Sequence, residues 1–243
     1  MKRYGLLGRT LKHSFSKAYF TKKFAELGLT DYSYDNFELA AATEFPLLLE
    51  RHPDLCGVNV TIPYKEDVLA FLTTQNKIVQ EIQACNCIKI DGKECIGFNT
   101  DVIGFQKSLE PQLQSHHTKA LILGTGGASK AIAYVLQQLG INYHFVSRQK
   151  TANTIGYDEV DAERLASHHL IINTTPLGMF PAVDDAPALP YELLTDKHFL
   201  FDIIYNPATT KFLANGEKRG AQIANGEQML IEQAEESWRI WKG

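Results

Sequence analysis

A run of apolar residues that leads directly into a glycine-rich turn places the strongest constraint on the fold of this chain. Residues 119–124 read Lys-Ala-Leu-Ile-Leu-Gly, and the small residues Thr-Gly-Gly-Ala-Ser follow at 125–129. A continuous apolar strand is typical of a parallel sheet that is covered on both faces. A glycine turn between such a strand and a helix is typical of a dinucleotide-binding unit. The sequence therefore predicts a doubly wound α/β domain in the second half.

The residues after this turn continue the alternation of helices and strands. A helix is predicted at 128–139, and strands are predicted at 143–147, 170–174 and 199–205. Short helical pieces separate these strands, which is the pattern of a parallel sheet with helices on both faces. We therefore predict a Rossmann-type, doubly wound domain.

The first half predicts a second α/β domain. Its pattern is β-α-β-α-β-α followed by a hairpin, with strands at 3–8, 32–39 and 57–62, helices at 16–28, 42–51 and 64–72, and a hairpin at 86–98 that turns at Asp91-Gly92. Ser16 can cap the first helix, and Gly28 can end it. Helix 227–241 has an apolar face that can pack back on this half. We predict one domain from 1–101 with 226–243, and another from 102–225.

Composition and charge exclude several classes of function. The chain has 243 residues and a net charge of −4, which gives no basic footprint for nucleic acid or an anionic membrane. No apolar run is long enough to span a bilayer, and the N-terminus lacks the apolar core of a signal peptide. We expect a soluble, cytoplasmic protein with no membrane or nucleic-acid partner.

The cysteines and paired histidines give no sign of a metal site. Cys85 and Cys87 form a C-x-C pattern rather than the C-x-x-C pairs of zinc sites. We expect reduced, half-buried thiols, as in a cytosolic protein, and no metal. The His-His pairs at 116–117 and 168–169 lie in polar sequence, and we expect them in loops or at the surface.

The glycine-rich turn is the candidate nucleotide site. Glycine permits the tight turn and lets the backbone approach a pyrophosphate, while the helix N-terminus offers N–H groups to phosphates. A P-loop does not fit, because Ser129 stands where its second glycine is required and Ala131 follows Lys130 in place of Ser or Thr.

The end of the next strand predicts the choice between the two nicotinamide cofactors. Ser147-Arg148-Gln149-Lys150 occupies the place where an NAD site has an acidic residue. Arg148 follows Gly126 by 22 residues (148 − 126), and its guanidinium suits a bidentate contact with a 2′-phosphate. Lys150 adds positive charge. The alternative is a solvated basic turn, but position and the missing acid favour NADP.

Three polar residues lie in or just after the predicted strand at 57–62. Asn59 and Thr61 are two residues apart and share one face, and Lys65 is predicted to open the next helix. Ligands of α/β proteins bind at such strand ends. Lys65 can stabilise an alkoxide or transfer a proton, and Asp101 can orient it. The alternatives are a polar strand edge with a solvated lysine, and a helix N-cap at Asp101.

Several motifs in order along the chain resemble those of the shikimate dehydrogenases over nearly its whole length. The matching segments are His13-Ser14-Phe15-Ser16, Asn59 to Lys65, Asn86, Asn99-Thr100-Asp101, Gly124 to Ser129, Asn173 to Met179, Tyr205-Asn206-Pro207 with Thr210, and Asn225-Gly226 through Met229, Leu230 and Gln233. Many segments in the right order are far more specific than any one of them.

This resemblance implies reversible, NADPH-dependent reduction of 3-dehydroshikimate to shikimate, in the pathway to chorismate and the aromatic amino acids. It implies Lys65 as the acid–base residue and Asp101 as its partner. The implied substrate ligands are Ser14, Ser16, Thr61, Asn86, Asp101, Tyr205 and Gln233. The implied cofactor ligands are Gly124, Thr125, Gly126, Gly127, Ala128, Ser147, Arg148, Lys150, Ile203 and Gly226, with Met229 also near the nicotinamide. We expect a monomer or homodimer.

The chain departs from the family pattern at several positions. Lys17, Tyr64 and Ser147 stand where proline, histidine and asparagine are usual in the family. One alternative is therefore a quinate/shikimate dehydrogenase with relaxed cofactor use. Another is a nucleotide-binding homologue without catalysis, against which the presence of both Lys65 and Asp101 argues.

Overall fold

The computed structural model describes residues 1–11 and 14–243, which form two compact units. The first unit contains residues 1–100 and 234–243, and the second contains residues 101–233. The sequence predicts that the chain returns to the first domain at 226. In the structure this return comes later, at Ala234, within the last helix.

The first unit is built on a six-stranded sheet in the order β2-β1-β3-β5-β6-β4. Its strands are β1 (Lys2–Gly8), β2 (Tyr32–Glu38), β3 (Leu55–Val60), β4 (Thr74–Gln75), β5 (Cys87–Asp91) and β6 (Glu94–Phe98), and its helices are α1 (Phe15–Glu26), α2 (Phe45–Arg51) and α3 (Lys77–Ile82). Strands β2, β1 and β3 are parallel, and the β5–β6 hairpin joins β3 antiparallel. The predicted α/β arrangement with a hairpin is present.

Local hydrogen bonds explain where the predicted boundaries in this unit are wrong. Ser14, not Ser16, caps α1, because its Oγ accepts the Lys17 N–H at 3.1 Å. The hairpin turns at Gly92-Lys93 rather than Asp91-Gly92, since Asp91 pairs with Glu94 and Gly92 takes the positive φ of 58°. Helix α3 and strand β4 were not predicted. The cap of α3 is Asn76, whose Oδ1 accepts the Val79 N–H at 2.9 Å.

The segment after β3 is a turn rather than the predicted start of a helix. Strand β3 ends at Val60, and a turn over residues 62–66 leads into a short 3-10 helix, Asp67–Phe71. The carbonyl of Lys65 accepts the Cys85 N–H at 2.7 Å, so it is engaged by a residue distant in sequence instead of by a helical turn. Lys65 therefore lies in a loop that is held by tertiary contacts.

The end of the last helix, α8 (Glu227–Lys242), packs within the first unit, as predicted. Trp241 lies 4.9 Å from Tyr4 between ring centroids, and its Nε1–H donates to the carbonyl of Ile88 at 3.1 Å. A Cβ at Gly57 would overlap the Trp241 indole, so β3 needs glycine where the helix crosses it. Aromatic burial of this kind contributes strongly to a core.

The second unit is a parallel six-stranded sheet in the order β12-β11-β10-β7-β8-β9. Its strands are β7 (Lys119–Leu123), β8 (Asn142–Val146), β9 (Thr154–Ile155), β10 (Leu170–Asn173), β11 (Phe199–Asp202) and β12 (Gln222–Ala224), and its helices are α4 (Asp101–Leu109), α5 (Gly127–Gln138), α6 (Ala162–Ser167), α7 (Lys211–Glu217) and the start of α8. The direction in which successive strands are added to the sheet reverses between β7 and β10. Ligands of doubly wound sheets bind at that point. The predicted Rossmann-type domain is confirmed.

The described part of the chain has neither a multidentate metal cluster nor a membrane span. No three His, Cys, Asp or Glu side chains in residues 1–11 and 14–243 form a group that could hold a metal. None of the helices in those ranges is long and apolar enough to cross a bilayer. The four cysteines are free thiols. Cys56 is half-buried, whereas Cys85, Cys87 and Cys95 are buried more deeply than we predicted.

The histidine pairs lie in loops, as the sequence predicts, but His117 and His168 are buried there. Nearby backbone groups satisfy a ring nitrogen of each, the Gln114 N–H for His117 and the Arg164 carbonyl for His168. His168 Nδ1 lies 3.0 Å from the Arg164 carbonyl, which requires the proton on Nδ1, so Nε2 accepts from His144 Nδ1 at 3.1 Å. Burial lowers the pKa of His168 to about 4.

We expect the protein to lose stability as the pH falls from about 6.5 to about 4. Burial also lowers the pKa values of His117, His144 and His198, so the unfolded chain binds protons in this window that the folded chain does not. The stabilising contribution is complete above the unfolded pKa and decreases as the pH falls towards the folded pKa. Calorimetry across this window should show the melting temperature fall by several degrees.

A glutamine at position 168 provides the control for this pH dependence. His168→Gln removes one titrating group, so the melting temperature should depend less steeply on pH between 4 and 6.5. Burial raises the pKa of Asp202 to about 6, which acts in the opposite direction, because a raised carboxyl pKa favours the fold at lower pH. An unchanged slope in the variant would assign the acid sensitivity to other groups.

Candidate functional site

Polar side chains cluster inside the first unit where β3 ends and β5 begins. Asn59, Asn86 and Thr100 are all buried there. The Asn86 Nδ2 donates to Thr100 Oγ1 at 3.0 Å, and the Thr100 N–H donates to Asn86 Oδ1 at 2.6 Å. Asn59 Nδ2 donates to the Asn86 carbonyl at 3.4 Å. The predicted substrate ligand Asn86 therefore has a fixed amide orientation.

The two predicted serine ligands lie at the start of α1. Ser14 caps the helix and Ser16 occupies its first turn, buried against β2. Ser16 lies close to Tyr34, whose hydroxyl donates to Asn59 Oδ1 at 2.9 Å. Tyr34 therefore lies between Ser16 and the cluster at the end of β3. His13, the first residue of the H-S-x-S motif, lies outside the described residues.

Thr61 and Lys65 share the turn that follows β3. The Thr61 N–H donates to the Leu7 carbonyl at 2.9 Å, and the Tyr64 N–H donates to the Thr61 carbonyl at 3.0 Å. Tyr64 is buried and its hydroxyl donates to the Leu39 carbonyl at 2.6 Å. The tyrosine that departs from the family pattern therefore anchors the turn. The half-buried Lys65 therefore lies on a turn whose backbone is held by hydrogen bonds on both sides of it.

The second unit contains the other predicted substrate residues. Asp101 is the first residue of α4 and is buried, so it is not the N-cap considered from the sequence. Helix α4 contacts the start of α8 closely at Gly104, where a Cβ would overlap the Met229 carbonyl. This contact brings the helix of Asp101 next to that of Gln233, which is buried. Tyr205 lies after β11 and is partly exposed.

The glycine-rich loop joins β7 to α5 as predicted. Gly124 has a φ of 105°, and a side chain there would also contact Thr174, so this glycine is required by the fold. Gly126 caps α5 with a φ of −78°, which any residue adopts. Among the described residues, no atom would lie within 4 Å of a Cβ at Gly126. The space in front of Gly126 is therefore open for a ligand.

We expect Gly126→Ala to fold normally but to bind NADP weakly. The added methyl group meets no described protein atom, yet it occupies the space through which the backbone approaches a pyrophosphate. The KM for NADP should rise about tenfold or more, while the melting temperature should stay within a few degrees. Steady-state kinetics and calorimetry measure both quantities.

Gly124→Ala is the matched control for that substitution. Its positive φ and the contact with Thr174 predict a loss of stability of about 1 kcal/mol or more, whatever the ligand. If Gly126→Ala left NADP binding unchanged, the loop would not be the pyrophosphate site.

The basic turn after β8 is folded back on itself. The Ser147 N–H donates to the Ile155 carbonyl of β9 at 2.9 Å, which holds both ends of the turn. Arg148 is exposed. Lys150 pairs with Glu159 at 2.8 Å, and this pairing raises the lysine pKa. Arg148 and Lys150 are therefore both in the turn, but Lys150 already has a carboxylate partner that we did not predict.

The ends of β10 and β11 are joined by a buried carboxylate that the sequence analysis did not single out. Asp202 accepts hydrogen bonds from Thr210 Oγ1 at 2.6 Å, from Asn173 Nδ2 at 3.1 Å and from the Ile204 N–H at 3.1 Å. Burial raises its pKa to about 6. Its signal in the sequence is an aspartate at the end of the apolar run Phe-Leu-Phe. Asn173 and Thr210, which belong to family motifs, therefore hold this strand end together.

The two residues predicted near the nicotinamide lie side by side. The Gly226 N–H donates to the Ile204 carbonyl at 3.0 Å. A Cβ at Gly226 would overlap the carbonyl of Ile203, so only glycine permits this approach. Met229 is buried one turn into α8. The predicted cofactor residues of the second unit thus line the carboxyl ends of its strands.

Comparison with known proteins agrees with this geometry. The sequence profile of the shikimate dehydrogenase substrate binding domain matches residues 6–88. The NADP(+)-dependent shikimate dehydrogenase of Caldicellulosiruptor saccharolyticus is 36% identical over 259 aligned positions, which cover 99% of this chain and 92% of that protein. The corresponding enzyme of Clostridium beijerinckii is 35% identical over 100% of this chain and 92% of that protein.

A solved structure of a shikimate dehydrogenase has a fold similar to that of this chain. Shikimate 5-dehydrogenase from Thermus thermophilus, in complex with NADP(H) and shikimate, is similar with a TM-score of 0.89 and 29% identity. The similarity covers 100% of this chain and 94% of that one. With relatives above 30% identity over nearly all of its length, the chain belongs to the shikimate dehydrogenase family.

Proposed function

We propose that this chain interconverts shikimate and 3-dehydroshikimate with NADP, in the pathway to chorismate and the aromatic amino acids, and that Lys65 and Asp101 carry its acid–base step. When shikimate is oxidised, a hydride leaves the carbinol carbon and the hydroxyl proton leaves the oxygen. A bound NADP would supply the hydride acceptor. Lys65 accepts the proton, and in the reverse direction its ammonium donates a proton to the developing alkoxide.

The placement of Lys65 is the observation that carries this assignment. The lysine lies on a turn that Tyr64 and the Cys85 N–H hold rigidly, directly after the strand that bears Asn59 and Thr61. Rigid placement favours an acid–base residue, because proton transfer needs a defined distance and angle. Asp101, buried at the start of α4, is proposed to orient the lysine.

The side chains that we propose as substrate ligands suit a polyhydroxylated carboxylate. Hydroxyls and amides can each donate and accept hydrogen bonds, so they can match several substrate hydroxyl groups. We propose as substrate ligands Ser14, Ser16, Thr61, Asn86, Asp101, Tyr205 and Gln233. Several are buried and already oriented by neighbouring hydrogen bonds, which lowers the entropy that substrate binding must overcome.

The cofactor assignment extends to single residues of the second unit. We propose that the loop from Gly124 to Ala128 binds the pyrophosphate and that Ile203 and Gly226 contact the nicotinamide end. Ser147, Arg148 and Lys150 are proposed to bind the 2′-phosphate. The open space at Gly126 and the basic turn after β8 support these roles. We further propose a cytoplasmic monomer or homodimer, whose oligomeric state light scattering of the purified protein can test.

Selectivity for substrate and cofactor tests the proposal. Initial rates would be measured with shikimate or quinate, each with NADP and with NAD. We expect the highest kcat/KM with shikimate and NADP. Comparable values for quinate and NAD would support the broader quinate/shikimate activity instead.

A further inference from the structure

Ser237 of α8 is a polar residue at a position where the helix otherwise buries apolar groups. Its side chain is fully buried, like those of Ala234, Trp238 and Trp241 on the same helix. Its Oγ accepts the Asn59 Nδ2–H at 2.8 Å and lies 3.2 Å from Thr100 Oγ1. A buried hydroxyl stabilises a structure only when it has partners, and here its partners come from two distant parts of the chain.

The contacts of Ser237 extend in two directions through the first unit. On one side, Asn59 accepts a hydrogen bond from Tyr34, whose side chain lies close to Ser16. On the other side, Thr100 exchanges two hydrogen bonds with the amide of Asn86. One buried serine on α8 is therefore linked to two of the proposed substrate ligands, to Asn86 through hydrogen bonds and to Ser16 through the side chain of Tyr34.

The donor and acceptor pattern gives Ser237 a specific task. Thr100 Oγ1 accepts from Asn86 Nδ2, and its own hydroxyl proton can go to Ser237 Oγ at 3.2 Å or to Asn86 Oδ1 at 3.3 Å. The Asn59 Oδ1 accepts the hydroxyl proton of Tyr34, and this bond fixes which way the amide faces. The Asn59 Nδ2 then donates to Ser237 Oγ at 2.8 Å and to the Asn86 carbonyl at 3.4 Å, so the serine is the nearer acceptor. Without the serine oxygen, Asn59 and Thr100 each lose a partner that fixes their orientation.

We propose that Ser237 is a positioning residue for the substrate, acting through Asn59 and Thr100 on the side chains of Ser16 and Asn86. This inference rests on the proposed function, because it takes Ser16 and Asn86 as ligands of shikimate. It also gives the end of α8 a role beyond packing. The helix that closes the first unit carries the hydroxyl that orients its substrate ligands.

Ser237→Ala tests this role with a readout that packing alone would not move. We expect the KM for shikimate to rise about tenfold, the KM for NADP to stay within twofold, and kcat to fall less than KM rises. Ser108→Ala is the matched control. Ser108 is also a buried helical serine, but its hydroxyl bonds locally, to the Phe105 carbonyl. That variant should leave the KM for shikimate unchanged.

A double-mutant cycle separates positioning from general destabilisation. If Ser237 acts through Asn86, then Ser237→Ala should raise the KM for shikimate much less in an Asn86→Ala background than in the wild type. Equal effects in both backgrounds would overturn this route. Tyr34→Phe breaks the network on its other side by removing only a hydroxyl group and keeping the ring that packs near Trp241. It should also raise the KM for shikimate selectively.

The outcomes distinguish this inference from the proposed function. If the wild type oxidises shikimate but Ser237→Ala and Tyr34→Phe keep its KM within twofold, the positioning role is wrong and the reaction stands. If Ser237→Ala does not fold, Tyr34→Phe decides the question alone. If the wild type does not act on shikimate, the proposed function fails and this inference fails with it.

Discussion

Replacing Lys65 with alanine is expected to lower kcat about 10²- to 10⁴-fold, the range that a positioned acid–base group supplies. The KM for shikimate should change only a few-fold, because the buried hydroxyls and amides proposed to bind the substrate remain in place. An interaction made mainly in the transition state affects kcat more than ground-state binding. Initial rates at saturating shikimate and NADP, with shikimate binding measured by calorimetry, give both quantities.

Two further variants separate proton transfer from charge. Lys65→Arg keeps the positive charge, but a guanidinium stays protonated at ordinary pH and so cannot accept a proton from the substrate. We expect it to be nearly as inactive as the alanine variant. Lys77→Ala, which removes an exposed lysine from α3 of the same unit, should retain full activity. A kcat near the wild-type value in Lys65→Ala would refute the proposed role.

The second large effect is expected in the KM for NADP. Arg148→Ala should raise the KM for NADP about 10- to 100-fold and that for NAD less than twofold. The reason is that a guanidinium binds a phosphate through two parallel, charge-assisted hydrogen bonds, and NAD has no 2′-phosphate. Because these charges are exposed, high salt should reduce the difference between wild type and variant.

Lys150→Ala is the matched comparison for Arg148. Lys150 pairs with Glu159, so part of its charge is already compensated, and removing it should raise the KM for NADP less than Arg148→Ala does. An equal increase for NADP and NAD in Arg148→Ala would remove the assignment of the 2′-phosphate site to this arginine.

The second unit is the part of the fold that the sequence predicts best. A parallel sheet buried on both faces requires strands with continuous apolar runs, and β7 and β10 each contain such a run, at 120–123 and 170–172. The glycine at 124 is visible because a positive φ restricts the residue type. Both signals are local, so they can be recognised without knowledge of the tertiary structure.

The errors arise where tertiary contacts decide the local structure. Lys65 was predicted to open a helix, but its carbonyl bonds to Cys85, twenty positions away in the sequence. His168 is a polar residue whose buried ring contacts His144 of β8, 24 positions earlier in the sequence. Ser237 was not singled out because its partners, Asn59 and Thr100, lie far away along the chain.

Turnover of shikimate by the purified wild-type protein is the measurement that tests the central claim most directly. NADP reduction would be followed by the absorbance of the reduced nicotinamide, with NADP binding measured on the same sample. The account predicts shikimate-dependent formation of NADPH that Lys65→Ala slows by about 10²-fold or more. NADP binding without any turnover of shikimate would contradict it and would indicate a nucleotide-binding homologue that has lost catalysis.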